Sequence, residues 1–302
     1  MKIMIQRLLT LLLLIGISTF TLSAQDKKIG YGFRAGLSYS KFNGPSEIGP
    51  NGEELESFTN DKGFHIGVSF AYKMTDLFGF RTEFMFSQRG TNHDYDGPSY
   101  YLLGRDVPSS DILITGTRHQ TLNVNNSYID IPLMVYQKIG KFEIFGGLNT
   151  GLLITSTAGG SINFEGISGG NQVKPYPFLL SLDYNYKSDK AGEASVERTP
   201  IDVSGLPYAE PSTLGAYYEF EARDKMQYQT LDFSLMGGAS FYFNQGLYLS
   251  WRYLYGLGDV DRNDYDISLQ TAQLVNSQVY THVKRADKNS SLSMQFSVGF
   301  SF

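Results

Sequence analysis

Ionisable residues recur at positions that an extended chain would bring to one side: Arg34, Lys73, Arg81, Arg89, Lys138 and Arg252, with Glu83, Asp130, Glu143 and Asp232. Charges of both signs on one enclosed face have two uses. Paired and hydrogen-bonded, they lock a polar interior; aligned along an open passage, they carry protons or a small solute. A second group, His93 with Asp94 or Asp96 plus His119, has the side chains of an acid–base site, but its spacing sets no nucleophile geometry. No GxSxG, P-loop or GxGxxG cluster occurs in a strand-to-helix context, so the expectation is a non-catalytic protein. Asp259, Asp261 and Asn263 open like a calcium loop, yet Asp264 stands where glycine is needed and Gln270 where glutamate is needed. His65, His93, His119 and His282 lack close ligand spacing, and neither a metal nor another cofactor is expected.

The elements that must position these residues are strands. Period-two alternation marks eight segments: 29–42, 63–74, 79–89, 127–139, 142–155, 230–243, 246–258 and 291–302. In the last, Leu292, Met294, Phe296, Val298, Phe300 and Phe302 oppose Ser291, Ser293, Gln295, Ser297, Gly299 and Ser301. Each segment reaches the ~9–11 residues with which a tilted strand crosses a bilayer core. Pro132 is the one awkward residue, because it cannot donate to the ladder, and a bulge there would accommodate it.

Three connections are tight, at Thr75–Phe78, Gly140–Lys141 and Asn244–Gln245, whereas those over about 43–62, 90–126, 156–229 and 259–290 are long. Short on one side and long on the other is the asymmetry of outer-membrane barrels. The fold expected is therefore all-β: an eight-stranded antiparallel transmembrane β-barrel with long extracellular loops and both termini periplasmic. Bulky faces such as Phe64, Ile66, Val68, Phe70 and Tyr72 would meet lipid, because an eight-stranded interior is just wide enough for side chains and suits the Gly/Ser-rich faces. Aromatics near strand ends, among them Tyr31, Tyr39, Phe64, Tyr72, Phe80, Phe86 and Phe243, suit the two interfaces.

Residues 1–24 read as a cleaved signal peptide: Lys2 and Arg7, an apolar run from Leu8 to Phe20, and a small-residue exit at Ser23–Ala24. The run is shorter than the ~20 residues of a membrane-spanning helix. Residues 25–302 then form one barrel domain. The 302-residue chain has no cysteine, which excludes disulfides, thiolate chemistry and lipoprotein acylation. Its net charge of −5, without a basic run, argues against nucleic acid as a partner. Tyr-rich stretches at 93–102, 174–187 and 206–228 offer either a recognition surface or the packing of a compact cap over the barrel.

The segments GFRAGLSYSKF (32–42), YIDIPLMVYQKIG (128–140), WRYLYGLGDV (251–260) and QFSVGFSF (295–302) resemble successive signatures of the PorT-like outer-membrane β-barrel family of Bacteroidota. Most specific are Tyr128, Ile131, Pro132 and Leu133, and Arg252, Tyr253, Tyr255, Gly256 and Leu257. The resemblance implies a Gram-negative outer-membrane location and, for PorT itself, an association with type IX protein secretion. It also implies that Phe302, with Phe296 and Phe300, forms the terminal signal read by the barrel-assembly machinery. The partners expected are outer-membrane lipid, that machinery during insertion, and another outer-membrane protein or complex. The function expected is an accessory subunit of an outer-membrane machine for secretion, assembly or uptake. A stand-alone structural or ligand-binding barrel is the alternative, followed by a passive small-solute channel.

Overall fold

The structure is a computed structural model and describes residues 28–103, 112–167, 175–188, 198–203, 206–211, 213–214, 226–262, 273–275, 279–281 and 287–302. Residues 1–24, expected to be a signal peptide, lie outside the described residues. Among the described residues there are fourteen strands: β1 (Ile29–Asn43), β2 (Glu56–Lys73), β3 (Phe78–Leu103), β4 (Ile112–Ile139), β5 (Phe142–Ile167), β6 (Pro175–Asn185), β7 (Arg198–Val203), β8 (Leu206–Pro211), β9 (Thr213–Leu214), β10 (Leu231–Tyr242), β11 (Leu247–Gly256), β12 (Gln273–Val275), β13 (Val279–Thr281) and β14 (Ser290–Ser301). Eight of them close a ring in the order β1-β2-β3-β4-β5-β10-β11-β14, every neighbour antiparallel. The seam is β1 on β14, in register from Gly32↔Ser301 to Asn43↔Ser290. All eight expected strands are there.

Tight turns form where local chemistry supplies them. The Asn244 side-chain oxygen accepts the amides of Gly246 (2.9 Å) and Leu247 (2.7 Å), and Thr75 Oγ1 accepts that of Phe78 (2.9 Å). Gly140 adopts φ +61°, a left-handed conformation that only glycine takes without strain.

Through the lower part of the ring the outward residues are apolar and exposed: Leu37, Ile66, Phe84, Leu133 (62 %), Leu148, Leu235, Trp251 and Val298. An apolar band right around the wall is stable only against lipid. Aromatics edge it. Phe142–Phe241 (5.1 Å) and Phe300–Phe302 (5.0 Å) stand at the short-turn end, and Phe64–Phe86 (5.4 Å) at the other. Arginine in place of Leu133 is expected to cost about 2–4 kcal/mol near the bilayer midplane, whereas Asn123→Arg, higher on β4, should be nearly neutral. Unfolding in lipid vesicles measures both.

Three connections differ from the expected loops. β3 and β4 do not stop near Arg89 and Ser127 but pair on from Gly90↔Asn125 to Leu103↔Ile112. β2 begins at Glu56, inside the range 43–62. Within 156–229, β5 runs to Ile167 and pairs there with β6. β5 changes neighbour at Ile154: below it Leu152 pairs with Leu231 of β10, and above it Thr157 pairs with Asn185 of β6. A register shift against β4 at Ser127/Tyr128 marks the exchange. The bulge expected at Pro132 is absent. Pro132 pairs in register with Asn149 on β5, and on the β3 side the ladder resumes from Leu133 to Asp130 without a shift.

Half the wall thus rises past the apolar band as an extension built from β2, β3, β4, β5 and β6. There the faces exchange chemistry. Tyr95, Ile114, Leu122, Val124, Ile162, Phe164, Leu180 and Leu182 are buried on the inner side, while Asn92, Asp94, Thr121 and Asn123 lie outward or partly exposed. In lipid the sheet buries its polar face; in water it buries its apolar one. β9 adds two residues alongside β6, and the pairs β7–β8 and β12–β13 are separate hairpins.

Candidate functional site

The ring's inward charges form three tiers. Nearest the short turns, Arg81 grips Glu143 with both guanidinium nitrogens (2.7 and 2.8 Å), lies over the Tyr136 ring at 4.7 Å, and Tyr242 donates to Glu143 at 3.3 Å. In the middle, Glu83 accepts a forked pair from Arg252 (2.9 and 2.8 Å) and faces Arg34 at 3.4 Å. Arg34 also donates to Ser297 (2.5 Å), and His65 bridges Ser297 (2.7 Å) and Ser38 (3.0 Å). In the upper tier Arg89 joins Asp130 (2.9 Å) and Asp232 (2.8 Å) and covers the Tyr128 ring at 4.2 Å. Ser87 and Asn149 donate to Asp130, and Ser234 donates to Asp232.

Among the described residues of these tiers, four guanidiniums, those of Arg34, Arg81, Arg89 and Arg252, meet four carboxylates, those of Glu83, Asp130, Glu143 and Asp232. Charge cancels within the lumen. Such groups tolerate burial because each carboxylate is both paired and hydrogen-bonded. Gly151 makes room for the upper tier: a Cβ there would lie 2.7 Å from both Arg89 Nη2 and Asp130 Oδ1. Of the ten inward ionisable residues expected, the structure brings eight together in these tiers. Lys73 and Lys138 are the exceptions: Lys73 occupies an inward position at the exposed end of β2, beyond the last tier, and Lys138 stands over the Tyr242 ring at 5.0 Å. His65, Ser38, Ser297 and Asn149 join through the same inward parity, the signal by which they are found in sequence.

The acid–base group does not assemble. His93 and Asp94 are consecutive on β3, so their side chains leave opposite faces. His93 turns inward to Glu56 (2.9 Å) and stacks on Phe58 at 4.8 Å, while His119 meets Asp96 at 3.0 Å on the outer face. Glu54, Asp94, Asp96 and His119 border a shallow outer groove of about 330 Å³. Asp259 and Asp261 take up Asn289 rather than each other: the Asn289 amide donates to Asp259 (3.1 Å) and its side chain to Asp261 (3.0 Å). Asn263, Asp264, Gln270 and His282 lie outside the described residues. Within the Tyr-rich stretches, Tyr95, Tyr100, Tyr184, Tyr186 and Tyr228 are buried, with Tyr186 edge-on to Tyr228 at 4.9 Å. They serve as the core of the extension.

The model of the outer membrane protein beta-barrel domain matches residues 23–262, most of the chain. The chain belongs to that family. A member of it resides in an outer membrane, and the apolar band described above is what that location requires. The match ends before β14, which nonetheless closes the ring. Among solved structures, the chain is similar to Ail, the attachment invasion locus protein of Yersinia pestis, with 9 % identity, 91 % of this chain and 99 % of that chain covered, and a TM-score of 0.33. Similar values hold for the Neisserial surface protein NspA (11 %, 90 % and 97 %, 0.35) and for OprG of Pseudomonas aeruginosa (11 %, 90 % and 95 %, 0.33). A search of curated proteins by sequence gives no match.

Proposed function

We propose that this family member is a non-catalytic, non-conducting barrel that serves as an accessory subunit of an outer-membrane machine for secretion, assembly or uptake, and that it holds its partner by the extension. One observation carries the reading. A barrel that only braced the membrane would need strands of about 9–11 residues, whereas β3, β4 and β5 have 26, 28 and 26, and the surplus is folded over an apolar core of its own. A rigid sheet with a polar outer face costs a partner little ordering entropy on docking. Leu179, 71 % exposed on β6 and far above the apolar band, is an apolar anchor on that sheet.

In this reading the extension is extracellular, the tight turns and both termini are periplasmic, residues 1–24 are removed on export, and Phe296, Phe300 and Phe302 guide insertion by the barrel-assembly machinery. Mild-detergent extraction of a tagged copy, followed by quantitative mass spectrometry, tests it: one outer-membrane protein should co-purify near one-to-one. Recovery as a lone monomer favours the second reading, a stand-alone surface-binding barrel, for which the outer groove beside Asp94, Asp96 and His119 speaks. A channel would show steady conductance altered by Arg252→Ala or Asp130→Ala. With the lumen occupied by paired side chains, the expected result in a planar bilayer is no step conductance from the wild-type protein.

A further inference from the structure

Cations at the short-turn end are left over from the lumen network. Lys73 and Lys138 hold inward positions just above the turns, and Lys141 lies in the turn after β4. Glu143, the lumen carboxylate nearest this end, is already engaged by both guanidinium nitrogens of Arg81 and by the Tyr242 hydroxyl. Among the described residues no carboxylate lies within 4.0 Å of these three lysines, and Asp76, in the β2–β3 turn, makes no ion pair with them. The Lys138 ammonium instead stands 5.0 Å over the Tyr242 ring. All three lysines border one open concavity of about 720 Å³, with Tyr242, Asn244 and Ser301. Phe243, Phe300 and Phe302 form its lip.

We propose that this mouth docks an acidic, aromatic-containing peptide segment of a partner protein. Charge complementarity argues for the carboxylates, because positive charge gathers here while the lumen beside it is neutral. The combination argues for a peptide: a small anion would meet the lysines alone, whereas a segment alternating acidic and aromatic side chains also meets Tyr242 and Phe243 beside them. That the partner is periplasmic rests on the orientation given under Proposed function, and the two claims are separable by experiment.

The full chain, refolded in nanodiscs of neutral lipid, is titrated with a fluorescent synthetic peptide of Glu, Tyr and Ser. Saturable binding is expected, weakened at least about tenfold by Lys73→Gln, Lys138→Gln and Lys141→Gln together, and weakened again by added salt. Lys141→Glu, confined to a turn, should weaken binding by itself in a barrel whose folding is undisturbed. Lys187→Gln, at the opposite end, should leave binding unchanged. Equal affinity of the triple variant, equal affinity of a Gln/Tyr/Ser peptide, or displacement by inorganic phosphate at similar concentration would overturn the peptide site. The compartment is read separately. The chain lacks cysteine, so Lys141→Cys gives a unique thiol. Labelling by an impermeant maleimide only after the outer membrane is opened supports a periplasmic partner; labelling on intact cells overturns that part alone.

Discussion

Glu83→Ala is expected to destabilise the barrel by about 3–5 kcal/mol, the cost of leaving a buried charge without its partner. Glu83 is the sole carboxylate among the described contacts of Arg34 and Arg252, and all three side chains are about 98 % buried or more. Removing it strands two guanidiniums in a space too narrow for bulk water. The readout is built in. Trp251, the single tryptophan of the chain, faces lipid on β11 next to Arg252, so its emission follows urea unfolding from vesicles. The double variant Glu83→Gln/Arg252→Met should recover part of the loss, because a neutral pair of similar volume needs no counter-charge. A cost below about 1 kcal/mol would mean that water reaches the middle tier, and the non-conducting reading would fall with it.

Phe164→Ala should have a comparable effect elsewhere, about 3–5 kcal/mol on the extension alone. Phe164 is fully buried in the apolar core above the membrane, on the part of β5 that pairs with β6 rather than β10. The two halves of β5 belong to different cores. The extension of the variant should therefore become susceptible to protease and lose amide protection, while the Trp251 transition in urea stays where it was. If both shift together, barrel and extension are one cooperative unit. If neither shifts, the inner face of the extension is not the core that its burial indicates.

The ring was legible in the sequence because lipid enforces a pattern: Phe64, Ile66, Val68 and Phe70 alternate with His65, Gly67 and Ser69, and the lumen charges follow from the same parity. The extension was not legible, and the reason is physical. Above the bilayer the outward face is free to be polar and the inward face turns apolar, so the side on which Asp130 and Arg89 lie is continued by Val124, Leu122 and Tyr95. A reader following apolar-outward alternation loses it at Gln88 and Ser127, and the segments beyond look like loops. Tyr95 and Tyr184 then read as loop aromatics, open to either a recognition surface or a packed cap, and they are core. Lys73 was misplaced by the opposite error, since parity gives the face of a residue but not its height. His93 and Asp94 were brought together by adjacency, although a strand sets adjacent residues on opposite faces.

Whether the extension holds a partner is decided by co-purification from the native outer membrane with a chain in which residues 91–123 and 157–229 are each replaced by a short turn, leaving the eight wall strands and the lumen tiers in place. This barrel should still insert, still show the Trp251 unfolding transition, and lose the stoichiometric partner that the full chain retains. An inserted barrel that keeps the partner at full stoichiometry would contradict a partner site on the extension, and would move the interface to the wall or to the lysine-lined mouth.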